Sequence, residues 1–170
     1  PVLDDGDVRI FESGAIVELL CARHAPHMVP EPGTEAHLRH LELMHFAEGS
    51  LMTPLLLNLY VGMLGEAGAP LHPRIAQEIA SHFGWLETII RPSGHFVLDV
   101  DVMLVFPCAA IRRMNRQDDF PKLAAFVDAM QARPAYRRAV EAEAATGPRD
   151  RHRPHRQNAH QGRPCQRQHR

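Results

Sequence analysis

Apolar positions along the chain follow two periods, a short one at the start and a helical one after it. Val2, Leu3 and the run Val8–Phe11 are apolar or β-branched and flank Asp4-Asp5-Gly6-Asp7, where glycine supplies the positive φ of a tight hairpin loop. In the second strand Val8 and Ile10 share one face, and Arg9 and Phe11 share the other. From residue 12 the spacing turns helical. A first helix is predicted over 12–23, ended by Pro26 and Pro30, with Ser13 as its N-cap ahead of Ala15, Ile16, Val17, Leu19 and Leu20. Thr34 caps a long helix over 35–64, which Pro54 must kink or restart. The stretch 51–61 is apolar almost all round and is expected to be buried on several sides.

Residues 73–90 are cleanly amphipathic, with Ile75, Ile79, Phe83, Leu86 and Ile90 recurring at three and four. The dense apolar run 101–114, interrupted by Pro107, is the expected central core helix. Asp119 is expected to cap a fifth helix reaching Met130, with Leu123, Phe126, Val127 and Met130 on one side. Arg133-Pro134 breaks it, and 135–145 make a last short helix. The predicted fold class is mainly α, a helical bundle after a small β-β-α piece.

Local chemistry gathers at the first helix start. Ile16 stands where a Glu or Gln would close a capping box, so the first helical N–H groups are left for an outside acceptor. A helix N-terminus with a hydroxyl beside it suits a carboxylate or a phosphate. An ordinary Ser N-cap is the plainer alternative.

Composition narrows the class. Apolar content of 45% with only 6% aromatics fits a helical protein better than a β-sandwich. No uncharged apolar run is long enough to span a bilayer, and no secretory leader is visible, so no membrane partner is expected. Cys21, Cys108 and Cys165 stand far apart without a Cys-x-x-Cys, and a reduced, cytoplasmic setting is the default. The net charge of −1 conceals an asymmetry. Residues 147–170 hold seven Arg and one Asp, a net +6, against twelve Lys plus Arg and nineteen Asp plus Glu before them, a net −7. With Ala159 and Cys165 as almost its sole apolar residues, the segment 146–170 is expected to be a disordered Arg/His-rich tail.

The opening segment resembles the glutathione transferase family. Pro1-Val2-Leu3, the Asp-Gly turn and Glu12-Ser13-Gly14-Ala15-Ile16 look like the second half of its thioredoxin-like, glutathione-binding domain. His45-Phe46-Ala47-Glu48-Gly49-Ser50-Leu51-Met52, Asp101-Val102-Met103-Leu104-Val105-Phe106-Pro107 and Met130-Gln131-Ala132-Arg133-Pro134-Ala135-Tyr136 are similar to pieces of the family's bacterial helical domain. The resemblance divides the chain into a partial thioredoxin-like domain over 1–28, an all-helical domain over 34–145, and the tail.

Under this resemblance Pro1 matches a cis-proline that shapes the backbone facing the tripeptide. Val2 lies beside it, Ser13 and the helix N-terminus hold the γ-glutamyl carboxylate, and Glu12 meets the γ-glutamyl ammonium. Phe46, Met52 and Tyr60 are candidates for a hydrophobic electrophile pocket. The implied activity is attack of the glutathione thiolate on an electrophilic small molecule, as in detoxification, by a homodimer with glutathione as substrate and no metal. Three departures qualify this. The family's first strand–helix–strand, which carries the thiolate-stabilising residue, is not seen, so the chain reads as N-terminally truncated and its conjugating activity as impaired. The stretch 95–101 is short, with Leu98 where a capping hydroxyl belongs. The tail's Arg, His, Gln and Pro bias reads as a shifted frame in a GC-rich gene.

Two other functions follow from other features. A transferase-like bundle can serve as a non-catalytic glutathione-binding or docking module, and the Arg-rich tail could bind nucleic acid by counterion release, although it lacks interleaved aromatics. His37 and His40 stand three apart on one helix and could share a metal, but the start of this helix is expected at the surface and no second-shell partner can be named, so none is expected.

Overall fold

The structure is a computed structural model and describes residues 1–96 and 98–145; the side chains of 98–100 are also outside the description. The expected disorder of the tail and the role given to Leu98 therefore lie outside the described residues. β1 (Val2–Asp5) and β2 (Val8–Phe11) pair antiparallel, Val2 opposite Phe11 and Asp5 opposite Val8. Gly6 takes φ +62° in the two-residue loop, the left-handed conformation that its missing Cβ permits. Asp4 and Arg9, directly opposed across the strands, form an exposed ion pair of 2.5 Å, and the guanidinium holds the Asp4 carboxyl below its usual range. The other face of the hairpin turns toward α1 (Ser13–His24), whose Arg23 reaches the Asp5 carboxylate at 2.5 Å.

The long predicted helix is three pieces. Thr34 caps α2 (Glu35–His45) by accepting the His37 N–H at 3.2 Å. A π-type stretch, Phe46–Leu51, then leads into α3 (Met52–Gly62). Pro54 explains the wide turn, since it has no N–H to give and its ring excludes the carbonyl of the preceding turn. Thr53 Oγ1 supplies a donor instead, to the Gly49 carbonyl at 2.8 Å. A tight 3₁₀ segment, Gly65–Leu71, turns the chain back; a Cβ on Gly68 would lie 2.4 Å from the Val61 carbonyl oxygen, so this close approach needs glycine.

α4 (His72–Ile89) buries Ile75, Ile79, Phe83 and Leu86, four of the five predicted positions, and the fifth, Ile90, is buried just beyond its end. α5 (Leu98–Cys108) packs against α1, α2 and α7 (Pro121–Ala132). The short α6 (Ala110–Arg113) follows, and α8 (Pro134–Ala145) lies against α7. Phe83, Leu86, Leu104, Ile111, Leu123 and Phe126 are essentially inaccessible and form the centre of one core. Cys21 and Cys108 are buried as well, and burial pushes the Cys108 thiol far above its ordinary range, which makes it inert.

Three expectations need correction. α3 is not buried on several sides: Leu56, Leu57, Leu59, Tyr60 and the following Met63 and Leu64 are all exposed, and within α3 only Pro54 and Val61 are buried. The core helix begins at Leu98 rather than at Asp101, and Pro107 sits in its last turn. Asp119 does not cap α7; it pairs with Arg116 at 2.8 Å. The cap comes from α4 instead. The Glu87 carboxylate accepts the N–H of Lys122 at 2.8 Å and of Leu123 at 2.9 Å, satisfying two first-turn donors of a helix 35 residues away.

Asp101 fixes the entry to α5. Its buried carboxylate accepts the Phe96 N–H at 2.8 Å and meets His95 Nδ1 at 2.9 Å. Burial raises its pKa, against the lowering pull of the Phe96 N–H and of His95.

Glu87→Ala leaves two helix-start donors without their acceptor and is expected to destabilise the fold by about 1–2 kcal/mol in urea unfolding; an unchanged midpoint would contradict the cross-helix cap. For Asp101, the folded carboxyl binds its proton more tightly than the unfolded one. Its contribution to stability is thus complete below the ordinary carboxyl pKa and declines as pH rises through the raised value. Relative to the native chain, Asp101→Asn should therefore gain stability as pH is raised from about 3 to about 7. A stability difference that stays flat over that range would show that ionising this carboxyl carries no folding penalty.

Candidate functional site

The site is set by one backbone turn. Between β2 and α1, Glu12 adopts φ 73° and ψ 127°, a conformation that L side chains rarely occupy and that costs about 1–3 kcal/mol. The reversal lets α1 begin at once. Ser13 is consequently the first helical residue, not the N-cap, and Glu12 holds the cap position with no side-chain hydrogen bond to the helix. The first intrahelical bond runs from the Ile16 N–H to the Glu12 carbonyl at 3.0 Å. The N–H groups of Ser13, Gly14 and Ala15 precede it, so the helix start presents donors and partial positive charge without an acid of its own.

The helix start borders a cleft of about 470 Å³, with Ser13 in its lining. Pro1, Ser13, Ile16 and Val17 form one wall. The opposite wall is built by Glu48 and Met52, from the π-type stretch and the first residue of α3, and by Val102, Met103, Phe106 and Pro107 of α5. The lining is largely apolar, with the Ser13 hydroxyl and the Glu48 carboxylate as its polar side chains. Val102 and Phe106, four apart on α5, stay exposed although they are large and apolar; Phe106 retains 64% of its surface. Arg113 lies over its ring, 5.8 Å from the centroid.

Of the residues singled out from the sequence, Pro1, Ser13 and Met52 meet in this cleft. Val2 and Glu12 do not line it. The Val2 side chain shares the exposed face of the hairpin with Phe11, and Glu12 is exposed at the turn. Phe46 packs edge-on against Trp85 at 4.6 Å and His82 at 5.4 Å, and Tyr60 lies on the exposed side of α3. Glu48, Val102 and Phe106 were not anticipated. The available signal was the all-round apolarity of α5: one side of such a helix fills the core while the other can line a cleft.

Among the described residues no group of three or more His, Cys, Asp or Glu side chains is placed to share a metal, and no helix is long and apolar enough to cross a membrane.

No protein-family model matches the chain, and no curated protein matches it. Solved structures do. A glutathione S-transferase from Actinobacillus pleuropneumoniae superposes with a TM-score of 0.70 at 22% identity, covering 84% of this chain and 67% of that one. A sphingomonad glutathione S-transferase complexed with glutathione gives 0.70 at 18% identity, over 85% and 73% of the two chains. A glutathione transferase from Phanerochaete chrysosporium with oxidised glutathione gives 0.69 at 20%, over 82% and 68%. The chain has the glutathione transferase fold, an all-helical bundle preceded by the β-β-α segment of a thioredoxin-like unit.

Proposed function

We propose that the chain is a glutathione transferase-like protein that binds glutathione at the start of α1 and offers the cleft beside it to an electrophile. The observation that carries this reading is that Pro1 and the uncapped helix start at Ser13 share one cleft with the apolar walls of α3 and α5. The N–H groups of 13–15 and the Ser13 hydroxyl would take the γ-glutamyl carboxylate, and Glu12 would take the γ-glutamyl ammonium. Pro1 and Val2 would supply backbone along the tripeptide. The electrophile would lie against Met52, Val102 and Phe106, with Phe46 and Tyr60 outside that pocket. In the reaction the glutathione thiol loses its proton, the sulfur bonds to the electrophilic carbon, and the leaving group departs with its electron pair.

In this reading residues 1–28 serve glutathione, residues 34–145 serve the acceptor, and the setting is the reduced cytoplasm with detoxification as the task. A second copy of the chain covers the apolar face of α3. Turnover is expected to be low, because the Ser13 hydroxyl is given to the γ-glutamyl carboxylate, the cleft lining holds no further Tyr, Ser or Cys to stabilise a thiolate, and the Glu48 carboxylate would oppose one. The same observation favours, as a second reading, a non-catalytic glutathione-binding or docking module. Conjugation of a generic electrophile separates the two.

Calorimetry with glutathione on two variants tests the binding reading. Ser13→Ala removes a hydroxyl donor to a carboxylate and should weaken binding about tenfold. Glu12→Gly releases the strained φ while deleting the carboxylate, so the variant should melt at a higher temperature and yet bind glutathione more weakly. Native-like affinity in both variants would place the tripeptide elsewhere.

A further inference from the structure

The π-type stretch brings a charge into an otherwise uncharged cleft. Ala47 and Leu51, four apart, are buried in the core, while Glu48 and Met52, each one residue further on, line the cleft. Glu48 therefore stands one turn before Met52, on the wall given to the acceptor. Among the described residues it is the charged side chain of the lining, and its carboxylate is in no ion pair or hydrogen bond.

The bases of the surrounding elements are placed or engaged elsewhere. On α4, Arg74 pairs with Glu78, and His82 Nε2 lies 3.5 Å from the same carboxylate; both bases line a different cavity with Gly49, Ser50 and Thr53. Arg23 of α1 is held by Asp5, and α5 carries no Lys or Arg. Arg113 lies over the Phe106 ring and is not part of the lining. A carboxylate left uncompensated beside apolar walls attracts a positive charge and repels a negative one.

In the glutathione reading, on which this inference rests, Ser13 serves the γ-glutamyl carboxylate and Glu12 the ammonium. Glu48 is the charged group left for the acceptor. We propose that Glu48 sets the acceptor class of the cleft, an electrophile with an apolar aryl body and a cationic ammonium group. The body packs against Met52, Val102 and Phe106, and the ammonium pairs with the Glu48 carboxylate. Because Arg113 already lies over the Phe106 ring, that ring takes the body and not the charge.

Calorimetry on the full chain with glutathione and three of its thioethers tests the assignment. The probes are S-benzylglutathione, S-(4-aminomethylbenzyl)glutathione and S-(4-carboxybenzyl)glutathione. The shared tripeptide anchors all three, so the para group decides their order. The aminomethyl probe should bind at least about threefold tighter than the neutral one, and the carboxylate probe at least about threefold weaker, the effect of one partly exposed charge contact. Glu48→Gln should bring the three affinities together, and Glu48→Lys should reverse their order. Glutathione binding accompanied by equal affinities, by an order led by the carboxylate probe, or by an order that survives Glu48→Gln would overturn the role of Glu48 and leave the glutathione site standing. Failure of glutathione and all three probes to bind at millimolar concentration would overturn both.

Discussion

The reversal at Glu12 is the constraint on which the site depends. A residue with a side chain is held in a conformation suited to glycine, and in exchange α1 starts without a lead-in, its first residue, Ser13, in the lining of the cleft. Strain of that kind persists only where the surroundings over-determine it. Here the β1–β2 pairing fixes one side, the Arg23–Asp5 ion pair ties α1 back to the hairpin, and Val17 packs against the core on the other side.

α5 is where fold and site coincide. Met103, Leu104 and Cys108 fill the core, while Val102 and Phe106 on its other side wall the cleft. A helix with both duties must be apolar all round, and it needs a firm start. The buried Asp101 carboxylate supplies that start by holding the Phe96 N–H and His95. Burying the charge is unfavourable, which is why its pKa lies above the ordinary range. α4 and α7 close the bundle through Glu87, whose carboxylate satisfies donors of both Lys122 and Leu123. Each of these contacts orders backbone that would otherwise leave polar groups unmet at a helix end.

What could be read from the sequence was local. The Ile75–Ile79–Phe83–Leu86 repeat, the Thr34 cap and the Gly6 turn each express a preference within one turn of chain, and each stands in the structure as read. The errors came from what local pattern does not encode. Ser13 looked like a cap because hydroxyl residues favour that position, yet the φ of Glu12 shifted the helix start by one residue. Asp119 resembles a cap because a carboxylate oxygen also accepts first-turn N–H groups, whereas the actual acceptor stands on another helix. The stretch 51–61 reads as buried from sequence because all-round apolarity does not distinguish a helix inside its own core from one whose outer face is left exposed in the single chain. Of the cleft, Ser13, Pro1 and Met52 were legible and Val102, Phe106 and Glu48 were not, since only the packing of α5 against α1 brings them together.

The most direct measurement is an NMR titration of the isotope-labelled chain with glutathione, following the amides of Ser13, Gly14 and Ala15. We expect these three amides to show the largest shifts and to follow one saturation curve, because the proposed site gives their N–H groups to the γ-glutamyl carboxylate. Saturable binding that leaves them unmoved, or no binding at millimolar glutathione, would contradict the assignment of the α1 helix start as the glutathione site.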